Sequence, residues 1–319
     1  MRLRIWIALL AIYLIWGSTY LAIRYAVESI PPFLMAGTRF LTAGIVLYTW
    51  RRLAGDPAPT ARQWRSTAII GLLLLLGGNG LVSWAEQTVP SGIAALLIGT
   101  IPLWMVLTES IRRGGVKPGL SAVLGLITGF SGILVLIWPL LMRSSTYSAG
   151  TSEHLNPLGV VALLFAAFSW AVGSVYSKSA ELPPGSLMTT AAEMLTGSLG
   201  LYFIGALLGE WNMLDFATIT ARSWLGLAYL TVLGSLVGFV AYAWLLRHAP
   251  ISLVATYAYV NPLVAILLGS LLAQESFSAR ILLAALIIIG SVVLINYSRQ
   301  AKVGRRVAAS AEGLLVKEQ

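Results

Sequence analysis

Residues 84 to 102 read WAEQTVPSGIAALLIGTIP, and residues 244 to 262 read WLLRHAPISLVATYAYVNP. Trp84, Pro90 and Pro102 recur as Trp244, Pro250 and Pro262, each 160 positions further on. Both copies join an apolar segment to a second, proline-interrupted one through a tight turn. Paired interrupted segments in the two halves of a chain point to a transporter's binding site.

Composition supports that setting. Of 319 residues, 58% are hydrophobic and only 10% are charged, where a soluble domain carries roughly 25% charge. Ten stretches are long and apolar enough to span a bilayer: 5 to 24, 32 to 50, 67 to 87, 91 to 110, 118 to 141, 157 to 177, 186 to 208, 224 to 246, 251 to 272 and 279 to 297. Continuous runs of this length exclude the alternating ten-residue strands of a membrane barrel. The fold class is therefore an all-α polytopic membrane protein. Arg2 and Arg4 precede the first run, but its polar and aromatic interior (Trp16, Ser18, Thr19, Tyr20) predicts a retained helix, not a cleaved signal peptide.

The net charge of +9 is spread over the short loops, which argues against a nucleic-acid partner. Of 21 Lys and Arg residues, 16 lie at the termini or in loops following even-numbered spans. Because positive loops stay inside, both termini are expected in the cytoplasm. In the second half's own loops the split is even, so its orientation rests on helix parity. The chain has no cysteine, which excludes disulfides and thiolate metal sites.

The duplication extends beyond the opening stretch. At an offset of 154, Trp16 pairs with Trp170, Arg24 with Lys178, Arg39 with Glu193 and Thr42 with Thr196. Spans 1 to 5 thus match spans 6 to 10. A unit of five spans must re-enter from the opposite face, so the copies are expected as inverted repeats. Their boundaries are 1–141 and 157–297, with a connecting loop at 142–156 and a basic tail at 298–319.

Arg39 lies roughly 11 Å into the second span and Glu193 roughly 12 Å into the seventh, at 1.5 Å per residue. Ionisable groups at such depth are costly and face a partner or water. Either they form a charged pair beside the substrate path, with Glu193 carrying a proton, or they make a structural salt bridge. Glu86 and Arg24 end their spans on one side, as an interfacial pair or as an exterior gate. Pro102 and Pro262 each free a carbonyl four residues earlier, which marks hinges or static kinks, and Asn261 can serve as a local partner. Gly77, Gly78 and Gly80 around Asn79, like Gly234 and Gly238, read as close-packing positions and not as a phosphate cradle. The mid-span aromatics Tyr20, Trp170, Tyr242 and Tyr257, with Trp84, are candidates to line a cavity for an amphipathic or cationic solute. His154 and His248 stand far apart, and no catalytic or metal-binding signature is present.

The phrases IWGSTYLAIRYAVES (15 to 29), PPFLMAGTRFLTAG (31 to 44), GNGLVSWAEQTVPSGIAALL (78 to 97) and YAYVNPLVAILLGSLLAQES (257 to 276) resemble the EamA-type family of the drug/metabolite transporter superfamily. The similarity is closest to bacterial inner-membrane amino-acid or metabolite exporters. It implies ten helices in two inverted five-helix units, with helices 1 to 4 and 6 to 9 around a central cavity and 5 and 10 peripheral. The two copies differ at nearly every polar position, so residue roles do not transfer between halves. The resulting expectation is a non-enzymatic secondary exporter without cofactor or metal, working by alternating access and driven by protons or by the substrate's own gradient. Its substrate-binding candidates are Tyr20, Arg39, Asn79, Trp84, Trp170, Glu193, Tyr242, Tyr257 and Asn261; Glu86, Pro90, Pro102, Pro250 and Pro262 are the gating or hinge candidates. Multidrug or quaternary-amine efflux is the second reading. A non-transporting membrane scaffold or an intramembrane enzyme is the reading from another class.

Overall fold

A computed structural model describes residues 2–112, 117–142 and 156–296; the expected tail and nearly all of the connecting loop lie outside the described residues. Ten helical spans follow in order: α1 (Arg2–Ala26), α2 (Pro32–Leu53), α3 (Ala61–Ala85), α4 (Ser91–Ile111), α5 (Leu120–Met142), α6 (Pro157–Ser177), α7 (Ser186–Leu207), α8 (Ala221–Leu246), α9 (Ile251–Val254 continued by Tyr257–Ala273) and α10 (Ala279–Asn296). Among the described residues, nine are long and apolar enough to cross a membrane, and α9 adds a shorter apolar helix.

Helix starts follow from local chemistry. Pro31, Pro90 and Asn156 precede α2, α4 and α6, while Thr60 and Thr220 cap α3 and α8 by accepting from Gln63 N and Ser223 N. A proline before or within the first turn loses nothing, because that turn's amides have no helical partner. The halves also match in their ends. α2 and α7 are each 22 residues long, and each is followed by a left-handed glycine, Gly55 (φ 95°) and Gly209 (φ 74°), again 154 positions apart.

Four irregularities were not visible in the apolar periodicity. The middles of α3 (Leu72–Gly80) and α8 (Leu230–Val237) are π-helical, a wide form that concentrates at functional sites. α4 is interrupted at Gly99–Thr100 and α9 at Ala255–Thr256. The threonines organise both breaks: Thr100 Oγ1 donates to the Leu97 carbonyl and Thr256 Oγ1 to the Leu253 carbonyl. A hydroxyl thereby occupies a carbonyl near the interruption, as membrane helices require. The two candidate prolines stand differently to these breaks. Pro102 stands in the first turn after its break, whereas Pro262 lies inside the helical part of α9, six residues beyond the interruption. The prolines align at an offset of 160, but the breaks align at 156.

Small residues let the helices approach. α2 and α7 share the most extensive contact, with Gly37 against the Tyr202 ring and Gly44 against Met194. Gly77 faces Ser169 of α6, and Gly125 and Gly132 of α5 face Ile295 and Ile288 of α10, so the expected close-packing role of the glycines holds. The largest buried cluster fills the end that carries the α3–α4 turn and includes Ala26, Val89, Ile93, Leu97, Leu163 and Leu230. At the opposite end the core divides. Leu9, Ile12, Leu245 and Val254 form one small cluster, and Leu103, Val106, Ala122 and Ile295 another.

Candidate functional site

The site is built on one face of α1. Trp16, Tyr20 and Arg24 recur every four residues, so they stack along one stripe. Trp16 Nε1 donates to the Gly234 carbonyl at 3.2 Å, and its ring meets Phe239, Tyr242 and Tyr257 with centroids 5.4, 5.2 and 5.2 Å away. Tyr242 and Tyr257 meet each other edge-on at 5.8 Å. One turn of α1 earlier, the Tyr13 hydroxyl is hydrogen-bonded to Thr256 at the α9 break. The aromatic cluster thus ties α1 to α8 and to the interruption of α9.

The π segments place the two equivalent tryptophans in exchanged positions. A Cβ on Gly238 would lie 2.4 Å from Trp16 Nε1, and one on Gly78 would lie 2.8 Å from Trp170 Cε3. Gly78 and Gly238 are 160 positions apart, so each half's tryptophan packs on the other half's glycine. Asn79 follows Gly78 within the α3 π segment and is half-buried. Trp84 packs between the two largest apolar clusters.

Arg39 is buried, and its Nε donates to Ser235 Oγ at 2.8 Å; its guanidinium carbon stands 4.6 Å from the Phe40 ring centre. Among the described residues Arg39 makes no ion pair. Arg39 and Glu193 therefore do not form the expected pair. Arg39 reaches Ser235 of α8 instead, while the Glu193 backbone lies against Gly71 of α3. Tyr20, Tyr257 and Glu193 lie deep among the helices yet keep part of their surface accessible.

Glu86 also departs from expectation. It is 2% exposed, and neither carboxylate oxygen has a hydrogen-bond partner among the described residues. The interfacial pair with Arg24 is not made, because Arg24 Nη1 donates instead to Glu275 Oε1 at 2.6 Å. Glu275 further accepts from Ser91 N at 2.8 Å, Ser91 Oγ at 2.9 Å and Gly92 N at 3.2 Å. It thereby caps the first turn of α4, just after Pro90.

Glu275, Ser235 and Glu210 were missed by sequence reasoning. Glu210 repeats the capping device of Glu275: it follows a left-handed residue, and its carboxylate accepts from Phe33 N at 3.2 Å and Leu34 N at 2.9 Å at the start of α2. Burial pushes the Glu210 carboxyl above the ordinary glutamate range, and the two amides partly offset this. A signal existed, since Glu210 stands 154 positions after Asp56, whose Oδ2 lies 3.0 Å from a Cβ built on Gly185, the residue preceding α7. Of the remaining candidates, Asn261 keeps its Oδ1 buried without a hydrogen bond, and Pro250 opens α9 with its carbonyl accepting from Leu253 N and Val254 N.

The sequence profile of the EamA-like transporter family matches twice, over residues 3–138 and 157–297. The inner membrane transporter YedA of Escherichia coli is 40% identical over 293 residues, covering 92% of this chain and 90% of that protein. The transporter YvbV of Bacillus subtilis is 26% identical over 92% of this chain and 93% of its own length, and the protein PecM of Dickeya dadantii is 27% identical over 91% and 92%. A crystal structure of 19% identity superimposes with a TM-score of 0.60 over 94% of this chain and 97% of that one, which shows a shared fold. Two family matches that together span nearly the whole ten-helix bundle place this chain in the EamA-like transporter family of the drug/metabolite transporter superfamily.

Proposed function

We propose that this membrane transporter exports small amphipathic metabolites, amino acids first, from the bacterial cytoplasm. The observation that carries this reading is the α1 stripe, with the Trp16, Tyr242 and Tyr257 rings and the half-buried Tyr20 along it, together with the buried charged groups Arg39 and Glu86. A space with aromatic walls and groups of both charges suits a solute with an apolar body and charged ends. The YedA relative supports localisation in the inner membrane, and the charge pattern supports both termini in the cytoplasm.

The two family matches, the exchanged Trp16 and Trp170 contacts and the odd number of helices per half support two units inserted in opposite directions. The continuous core at the α3–α4 end and the divided core at the other support an exterior-closed, cytoplasm-facing arrangement. Rocking at the threonine breaks of α4 and α9 would exchange the two. Energy would come from a proton gradient or from the substrate's own gradient.

The second reading, efflux of quaternary amines, is favoured by the Trp16, Tyr242 and Tyr257 rings, whose faces can hold a cation. Purified protein in proteoliposomes, loaded with single amino acids with and without a pH gradient, separates the two. Efflux of one or more amino acids above protein-free vesicles is expected. Movement of tetraphenylphosphonium with no movement of any amino acid would select the second reading.

A further inference from the structure

The Glu86 carboxylate is buried without a hydrogen-bond partner among the described residues. The residue is 2% exposed and makes no ion pair among them. The groups within electrostatic reach of it are Tyr20 and Arg24 of α1, Arg39 of α2, and Glu275 at the corner between α9 and α10. Arg24 and Glu275 are already committed to each other at 2.6 Å, and Glu275 also to the α4 amides. Arg39 is only partly committed: Nε is held by Ser235, and no acceptor among the described residues engages the two terminal nitrogens. Two incomplete groups of opposite charge therefore stand within electrostatic reach of one another, beside the half-buried Tyr20.

We infer that Glu86 and Arg39 are the two poles of a zwitterion site, with Glu86 taking the ammonium group of an α-amino acid and Arg39 its carboxylate. A buried charge stays uncompensated until a partner arrives, and an ammonium group supplies three donors to a carboxylate that has none. The guanidinium offers its outer nitrogens to a carboxylate in the two-pronged manner for which it is suited. Tyr20, between Trp16 and Arg24 on the α1 stripe, contributes the wall. The Arg24–Glu275 pair commits the Arg24 guanidinium elsewhere, which leaves the Glu86 carboxylate oxygens for a ligand. This inference rests on the amino-acid reading above and specifies its site.

The experiment uses the full chain in nanodiscs and reads half-saturating concentrations from ligand-induced thermal stabilisation. The probes are L-leucine, L-phenylalanine and L-threonine, each beside its decarboxylated amine and its deaminated acid. In the wild type, at least one amino acid should bind at least tenfold more tightly than its amine and its acid. In Glu86→Gln the amino acid should fall to within threefold of its acid; in Arg39→Gln it should fall to within threefold of its amine. Glu86→Asp and Arg39→Lys keep the charges and should restore part of the preference. If the wild type prefers the amino acid but Glu86→Gln still favours it tenfold over the acid, the inference is overturned while the amino-acid reading stands. Equal loss of all three ligand types in both charge-removing variants and in Glu86→Asp also overturns it, as the mark of a structural role. A wild type that shows no preference for any of the three amino acids overturns both.

Discussion

Arg24 and Glu275, separated by 251 positions, are joined at 2.6 Å, and through Glu275 the end of α9 is fastened to the first turn of α4. The carboxylate is 3% exposed and satisfies three donors besides Arg24. Its removal leaves buried amides unsatisfied, which costs more than a half-exposed ion pair returns. Glu275→Ala should destabilise the protein by about 3 kcal/mol, and Glu275→Gln, which keeps an acceptor, by about 1 kcal/mol. Thermal unfolding followed by size-exclusion chromatography measures both. Equal shifts would mean that the charge on Arg24, not the helix cap, holds this corner.

The exchanged tryptophan contacts give a prediction about symmetry. A methyl group at Gly238 must displace Trp16 from the Gly234 carbonyl, and one at Gly78 must displace Trp170. Overpacking of this kind costs about 2 kcal/mol. Gly238→Ala and Gly78→Ala should lower stability by similar amounts, but only Gly238→Ala should disturb the Trp16, Tyr242 and Tyr257 cluster. Comparing stability with substrate efflux in the two variants checks this: a selective loss of efflux is expected in Gly238→Ala.

Much of this architecture is legible in the sequence because hydrophobic length is a strong constraint in a bilayer. The predicted span 157 to 177 coincides with α6, and most other ends fall within a few residues of the observed ones. The repeat was visible too, since Trp16 and Trp170 mark it directly. Pairing was less legible. Arg39 and Glu193 align by offset, but alignment says nothing about which way each side chain turns, and Arg39 turns to Ser235 of α8. Arg24 was matched to Glu86 by depth alone. Its partner Glu275 follows a left-handed Gln274 (φ 53°), a corner that apolar periodicity does not encode. Thr100 and Thr256 escaped because proline is the conspicuous helix breaker, whereas the hydroxyl bond to a carbonyl three residues back becomes visible only in the fold.

The inverted arrangement can be checked with a chain that has no native cysteine. Pro90 precedes α4 and Pro250 precedes α9, so the two turns should open on opposite faces. Single cysteines at these positions, treated in intact cells with a membrane-impermeant maleimide, should give labelling at 90 and protection at 250. Equal labelling would show that the two turns share a face.

Glu210 predicts a pH dependence. Burial raises its carboxyl above the ordinary value of 4.5 in the folded protein. The folded state therefore holds this proton more tightly than the unfolded chain. The resulting contribution is fully present below pH about 4.5 and is lost as pH rises through the raised folded value. Relative to Glu210→Gln, which cannot titrate, the wild type should lose stability between pH 4 and pH 7. Parallel unfolding midpoints of the two proteins across that range would remove the effect.

Arg39 and Glu193 provide the last test, because a pairing at the centre of the bundle and two independent sites make different arithmetic. Arg39 is held by Ser235, and among the described residues no ion pair joins it to Glu193. Removing one member of a buried ion pair strands the other, so a true pair shows strong coupling in a double-mutant cycle. Independent sites add within about 0.5 kcal/mol. Arg39→Gln and Glu193→Gln should therefore be additive in stability when combined. Their effects on transport should differ: Arg39→Gln should weaken amino-acid efflux at least tenfold, whereas Glu193→Gln should act on the dependence of efflux on the pH gradient if Glu193 carries the coupling proton. A coupling energy above about 1 kcal/mol would restore the pair that the fold separates.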